Sequence, residues 1–257
     1  MAVSSKQILY VHFESIVVQG TGVVEGIFLT LPRDEEIEID EIKIDPFVNM
    51  KNMRLLKICN VKFPESHDYY FSRDLSLLEW HGYPCKSMMS SFQLERLVEL
   101  IMPNSRLEQL WQKTRRLENL VLINLSYCKE LTEMPDFNFI PNLETLILVG
   151  CESLAELHPS IGRLEHLALL NLKGCRRLTS LPKSISLESL ATLILSDCSN
   201  LTEFPEIEGD MTKLSELHLD GTAIKELPTS IKKLSSLRSG ILRNMESLKL
   251  DDSMDFE

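Results

Sequence analysis

The 257-residue chain is short of glycine, with 10 in all, and nowhere does it run to the ~18 consecutive apolar residues of a membrane-spanning helix. No membrane partner is expected. The first residues do not read as an export signal either, because ILYVHFESIVV is interrupted by His12 and Glu14, follows little positive charge and precedes no small-residue cleavage site. Basic residues are the minority, 27 against 38 acidic ones, and the net charge of −11 argues against nucleic acid or anionic lipid as a partner of the chain as a whole. No C-x-x-C or H-x-x-x-H spacing is present, so no metal is expected. No P-loop is found, and in GTGVVEG the third glycine of a dinucleotide fingerprint is replaced by Glu25, with the strand-like run following it instead of preceding it. With no nucleophile beside a base and no carboxylate pair, the sequence predicts neither cofactor nor enzyme.

What is abundant is a returning phrase. LVLINLSYCKELTEMP, LETLILVGCESLAEL, LALLNLKGCRRLTSLP, LATLILSDCSNLTEFP and LSELHLDGTAIKELP follow one another by 23 or 24 residues. That period, with L-x-x-L-x-L at its head, is the signature of a leucine-rich repeat. The first marker recurs at Met53, Leu75, Leu97, Leu120, Leu143, Leu167, Leu190, Leu214 and Leu237, giving about nine repeats over residues 46–250. The last is degenerate, since Gly240 stands where an apolar side chain belongs, and fraying is expected there.

Alternating apolar positions place Leu, Ile or Met on one face of a strand too short to close a core alone. Stacking on its neighbours buries that row. The expected fold is therefore α/β: a right-handed leucine-rich-repeat solenoid, with a parallel β-sheet on the concave face and short helical turns and irregular chain on the convex face. Leu181-Pro182, Leu227-Pro228, Pro159, Pro135 and Pro205 mark the return side, where proline, lacking an N–H, argues against a second regular sheet.

Cys128, Cys151, Cys175 and Cys198 each lie three residues after the last strand marker, and Thr222 takes the place in the next repeat. A ladder of small buried thiols is expected, with Cys59 and Cys85 off its register. Unpaired thiols suit a reducing compartment, so N-x-[ST] sites at Asn124 and Asn200 read as chance, and the chain is expected in the cytoplasm or nucleus.

Ahead of the array, residues 1–19 have no assignable pattern; residues 20–45 read as a turn at Gly20 and Gly22, a first strand, and an alternating edge strand through Ile37, Ile39, Ile42 and Ile44 that caps the core. Residues 251–257, DDSMDFE, read as a disordered acidic tail. The order GTGVVEGIFLTL, an acidic spacer, DPFVNMKNMRLLKI, LSLLEWHGYPCKSM, LVELIMPNSRLEQLW and LSYCKELTEMPDF resembles the leucine-rich region of plant intracellular immune receptors of the TIR, nucleotide-binding, leucine-rich-repeat class. The resemblance covers residues 20–250 and implies a region that binds a pathogen effector, a guarded host protein or the receptor's own nucleotide-binding domain, holding the nucleotide switch off until it does. The family's TIR and nucleotide-binding domains precede this region, and the chain begins only about 20 residues before it. A clipped receptor product or fragment is one expectation, an independent repeat scaffold outside immunity another.

Recognition is expected on the concave face, from side chains between the buried markers. In this register they include Glu79, His81, Glu99, Asn104, Asn124, Tyr127, Lys173, Asp197, Glu216, His218, Asp220 and Arg243. Trp80 occupies a core position, and Leu107, Leu110 and Trp111 are expected to share the apolar face of a short helix.

Overall fold

The computed structural model describes residues 7–11, 24–30, 50–61 and 71–237. Two strands, β1 (Gln7–Val11) and β2 (Val24–Thr30), precede the array, and each L-x-x-L-x-L phrase from Met53 to Leu167 then forms one short strand: β3 (Leu55–Cys59), β4 (Leu77–Trp80), β5 (Glu99–Ile101), β6 (Leu122–Asn124), β7 (Thr145–Ile147) and β8 (Leu169–Asn171). After β9 (Ser184–Ile185) come β10 (Thr192–Ile194), β11 (Glu206–Ile207) and β12 (Glu216–His218). Ten of them make a single sheet in the order β1-β2-β3-β4-β5-β6-β7-β8-β10-β12, every pair parallel. The fold is a parallel β-solenoid, as the period requires.

Register follows the hydrophobic phrase without slippage. Leu78, Leu100, Ile123, Leu146, Leu170, Leu193 and Leu217 stand side by side across seven strands, and all are buried. All nine markers from Met53 to Leu237 are buried too. A fully buried leucine contributes about 1.5–3 kcal/mol, but in this geometry only while the repeats on both sides are folded. At the N-terminal side, Phe71, Trp80, Tyr83 and Phe92 form an aromatic cluster inside the array, with Trp80 and Tyr83 edge to face at 5.0 Å.

The thiol ladder forms as the spacing predicts. Cys128 donates to Met102 O at 3.2 Å, Cys151 to Leu125 O at 3.2 Å, Cys175 to Leu148 O at 3.1 Å and Cys198 to Leu172 O at 3.1 Å. Each rung ties one repeat to the one before it. Burial pushes Cys128 and Cys198 up to about 11 and Cys175 up to about 12, and Cys151 is raised further still. None of the six cysteines is in a disulfide. One repeat earlier Ser105 holds the same position, its buried hydroxyl accepting from Tyr83 N at 3.0 Å.

Return segments hold the expected short helical turns and irregular chain, and depart from the sequence reading at two points. Three 3-10 helices occur, Phe137–Phe139, Pro159–Arg163 and Thr229–Lys233, and among the described residues there is no α-helix. Leu107, Leu110 and Trp111 are buried but sit on irregular chain, because the amides of Glu108 and Gln109 donate to Lys86 O of the preceding repeat instead of closing a helical turn. Where no second sheet was expected, β9 and β11 pair in parallel and Glu156 bridges Ser180. Pro182 and Pro205 stand just outside the paired residues, so Glu206 N still donates to Lys183 O and Glu208 N to Ile185 O.

The N-terminal segment also goes beyond the sequence reading, since Gln7–Val11, within the stretch without assignable pattern, pairs with β2 as the first strand of the sheet. The edge strand expected through Ile37–Ile44, the degenerate phrase at Gly240 and the acidic tail lie outside the described residues.

Candidate protein-binding face

Side chains between the buried ones point away from the core and form two continuous rows across the sheet. One runs through Leu55, Leu77, Glu99, Leu122, Thr145, Leu169, Thr192 and Glu216. The second runs through Lys57, Glu79, Ile101, Asn124, Ile147, Asn171, Ile194 and His218. Nearly all are half-buried, Glu216 being exposed. The centre of the face is thus apolar, with Ile101, Leu122, Ile147, Leu169 and Ile194 set among Asn124, Thr145 and Asn171. Polar character alone does not reveal these aliphatic members, because leucine and isoleucine between markers look like core; their third or fifth place in the phrase is the signal.

Charge collects at the two ends of the rows. On β3 and β4, Glu79 Oε1 receives Lys57 Nζ at 2.9 Å and His81 Nε2 at 2.9 Å, and the Cys59 thiol donates to the same oxygen at 3.8 Å. The Glu79 hydrogen bond raises Lys57, while burial, and then the Glu79 carboxylate, push the Cys59 thiol up to about 11. At the other end Glu216 accepts from Thr192 Oγ1 at 3.3 Å and Asp220 from Ser196 Oγ at 2.7 Å. Between them, Asn124 Oδ1 accepts from the amide of Ser126 and Asn171 Oδ1 from the amide of Lys173, both at 3.0 Å, so each asparagine pins the turn after its own strand.

Of the predicted face residues, Glu79, Glu99, Asn124, Glu216 and His218 lie on the strands, His81 directly follows β4, and Lys173 and Asp220 stand two residues past β8 and β12. Asn104, Tyr127 and Asp197 do not belong to the strand rows. They share a column of left-handed backbone with Asn60, Gly82, Gly150, Gly174 and Gly221, φ running from +58° to +73°, one residue per repeat. Here the chain turns out of the sheet, and the amide at this position donates to the neighbouring repeat, as Tyr127 N does to Val149 O at 2.6 Å and Asp197 N to Asp220 O at 2.7 Å. Asparagine, aspartate and glycine tolerate this conformation, which accounts for every residue type in the column except Tyr127. Arg243 lies outside the described residues.

The solenoid also gathers groups that spacing within one phrase cannot. Cys59, Glu79 and His81 each offer a ligand atom within 4.8 Å of the other two. Residues one repeat apart become neighbours in a stack, so the relevant spacing is 20–22 residues, not the two to four of a local metal motif. Among the described residues no helix is long and apolar enough to cross a membrane.

A leucine-rich-repeat family model matches residues 96–114. The chain is 41% identical over 152 residues to the disease resistance protein RML1B of Arabidopsis thaliana, covering 56% of this chain and 14% of that protein. It is 43% identical over 129 residues to the disease resistance protein RPV1 of Vitis rotundifolia, covering 50% of this chain and 9% of that protein. Among solved structures, the leucine-rich repeat domain of the type III effector XopL is similar at 20% identity and a TM-score of 0.44, over 77% of this chain and 70% of that one. The chain therefore spans only a small part of the curated relatives it matches. What it carries is a leucine-rich-repeat array homologous to part of the plant disease resistance proteins.

Proposed function

We propose that this chain is a non-enzymatic, protein-binding module of a plant intracellular immune receptor, working in the cytoplasm or nucleus. Its partner is a protein: a pathogen effector, a guarded host protein, or the nucleotide-binding domain that the array holds inactive. The observation that supports this reading is the open sheet face, where a strip of half-buried aliphatic side chains from Ile101 to Ile194 runs between two charged ends. An apolar centre with a polar margin is the anatomy of a protein interface, and a rigid sheet offers it with little ordering cost. Similarity to disease resistance proteins over about half of the chain supplies the immune context.

Co-precipitation tests it. The wild-type chain should retain a nucleotide-binding domain of a related receptor or a matching effector, and Ile147→Arg with Leu169→Arg should release it while the fold persists by circular dichroism. Undiminished retention by the double variant, or no retention by the wild type, would overturn the proposal.

A further inference from the structure

The thiol of Cys59 is the odd one among the buried cysteines. Four others point into the array and donate to a backbone carbonyl, whereas Cys59 faces a carboxylate at the edge of the open sheet face. It ends β3, and His81 occupies the same place one repeat later, its amide donating to Ile58 O at 2.9 Å so that the imidazole is carried on the sheet register. Glu79 sits between them, two residues before His81 and beside Lys57.

Sγ, Nε2 and Oε1 thus make a triangle: 2.9 Å from imidazole to carboxylate, 3.8 Å from thiol to carboxylate, and no side longer than 4.8 Å. The edges of a tetrahedral zinc site, with bonds of ~2.0–2.3 Å, are about 3.3–3.6 Å, so small side-chain rotations bring all three donors onto one ion. A thiolate, an imidazole and a carboxylate are a borderline-soft set that suits zinc and disfavours magnesium or calcium. We propose that Cys59, Glu79 and His81 bind one zinc ion on the sheet face, with water in the fourth position.

Lys57 sets the strength of the site. Its ammonium lies 2.9 Å from the same Glu79 oxygen and already supplies a positive charge there, so the metal must compete with it. Lys57 offers no ligand atom of its own, and removing it leaves the donor triangle whole. His81 is about a third exposed, 36%, which leaves solvent a way in.

The test uses the untagged full chain, titrated with zinc against a chromophoric chelator and, separately, with cobalt(II). One equivalent of zinc is expected, and the cobalt form should show tetrahedral visible bands with a thiolate-to-metal charge-transfer band. Loss of a partner outside the ligand set typically weakens metal binding 10- to 100-fold, so Glu79→Gln and His81→Ala should each lose at least about tenfold. Cys59→Ser, nearly isosteric, should abolish the charge-transfer band, whereas Cys85→Ser should keep it. Lys57→Gln should tighten zinc. Wild-type chain that fails to compete with the chelator, or affinity and band unchanged in Cys59→Ser and His81→Ala, would overturn the site.

Discussion

The ring of Tyr127 lies directly over the α-carbon of Gly150, its counterpart one repeat on: a β-carbon at Gly150 would sit 2.7 Å from Tyr127 Cδ1. Both residues are in the left-handed column, Tyr127 at φ +62° and Gly150 at φ +68°. The glycine is therefore fixed by two separate constraints, its own backbone and the neighbouring side chain.

Gly150→Ala should destabilise by about 1–2 kcal/mol for the left-handed backbone alone, and by more with Tyr127 in place. Gly82, at φ +71° with nothing within 4 Å of its would-be β-carbon, isolates the backbone part. Urea melts of Gly150→Ala, Tyr127→Ala, the double variant and Gly82→Ala should show that removing the ring rescues part of the Gly150 loss. Strict additivity would mean the ring does not crowd that site.

Leu170 stands in the middle of the buried row, between Leu146 and Leu193. Leu170→Ala should cost about 2–5 kcal/mol. Leu170→Asp should cost more, because a buried carboxylate has no cation to meet it, and it should uncouple the two halves of the array. A single sharp calorimetric transition for Leu170→Asp at the wild-type temperature would contradict the register.

Ser105 continues the ladder by a different bond. Ser105→Ala leaves the amide of Tyr83 without its buried acceptor and should lower stability by about 1–3 kcal/mol. A denaturation midpoint equal to wild type would show that the amide finds another partner.

The ladder also makes stability fall in alkali. Folded Cys128, Cys175 and Cys198 hold their protons up to about 11–12, whereas the same thiols in the unfolded chain lose theirs near the ordinary value. Above that point the unfolded state binds fewer protons than the folded one, so unfolding is favoured progressively as pH rises from about 8.5 towards 11. Tyrosine and lysine titrate in the same window, so the measurement is the difference between wild type and Cys175→Ala. A flatter alkaline slope is expected in the variant; parallel slopes would remove the thiol from the explanation.

Much of the fold can be read directly from spacing. Marker leucines, sheet register and the cysteine rungs all follow from a period in which every buried position recurs, and a one-residue slip would turn each strand's apolar side chains outwards. The open sheet face was legible only in part. Asn104, Tyr127 and Asp197 look like strand residues in a linear phrase, but they are the turn: asparagine and aspartate suit a polar strand face as well as left-handed backbone, and tyrosine gives no sign of it. Ile101, Leu122, Ile147, Leu169 and Ile194 look like core, but the pleat sends them to the open face.

The amino-acid sequence by itself determined that this chain stacks, where the strands of the repeated phrase fall and which family its array resembles, because period and hydrophobic alternation are properties of the line. Tertiary structure alone decided what stands beside what. Cys59, Glu79, His81 and Lys57 come from two phrases and meet because parallel strands lie only ~4.8 Å apart, a distance along the stack that a repeat of 22 residues conceals.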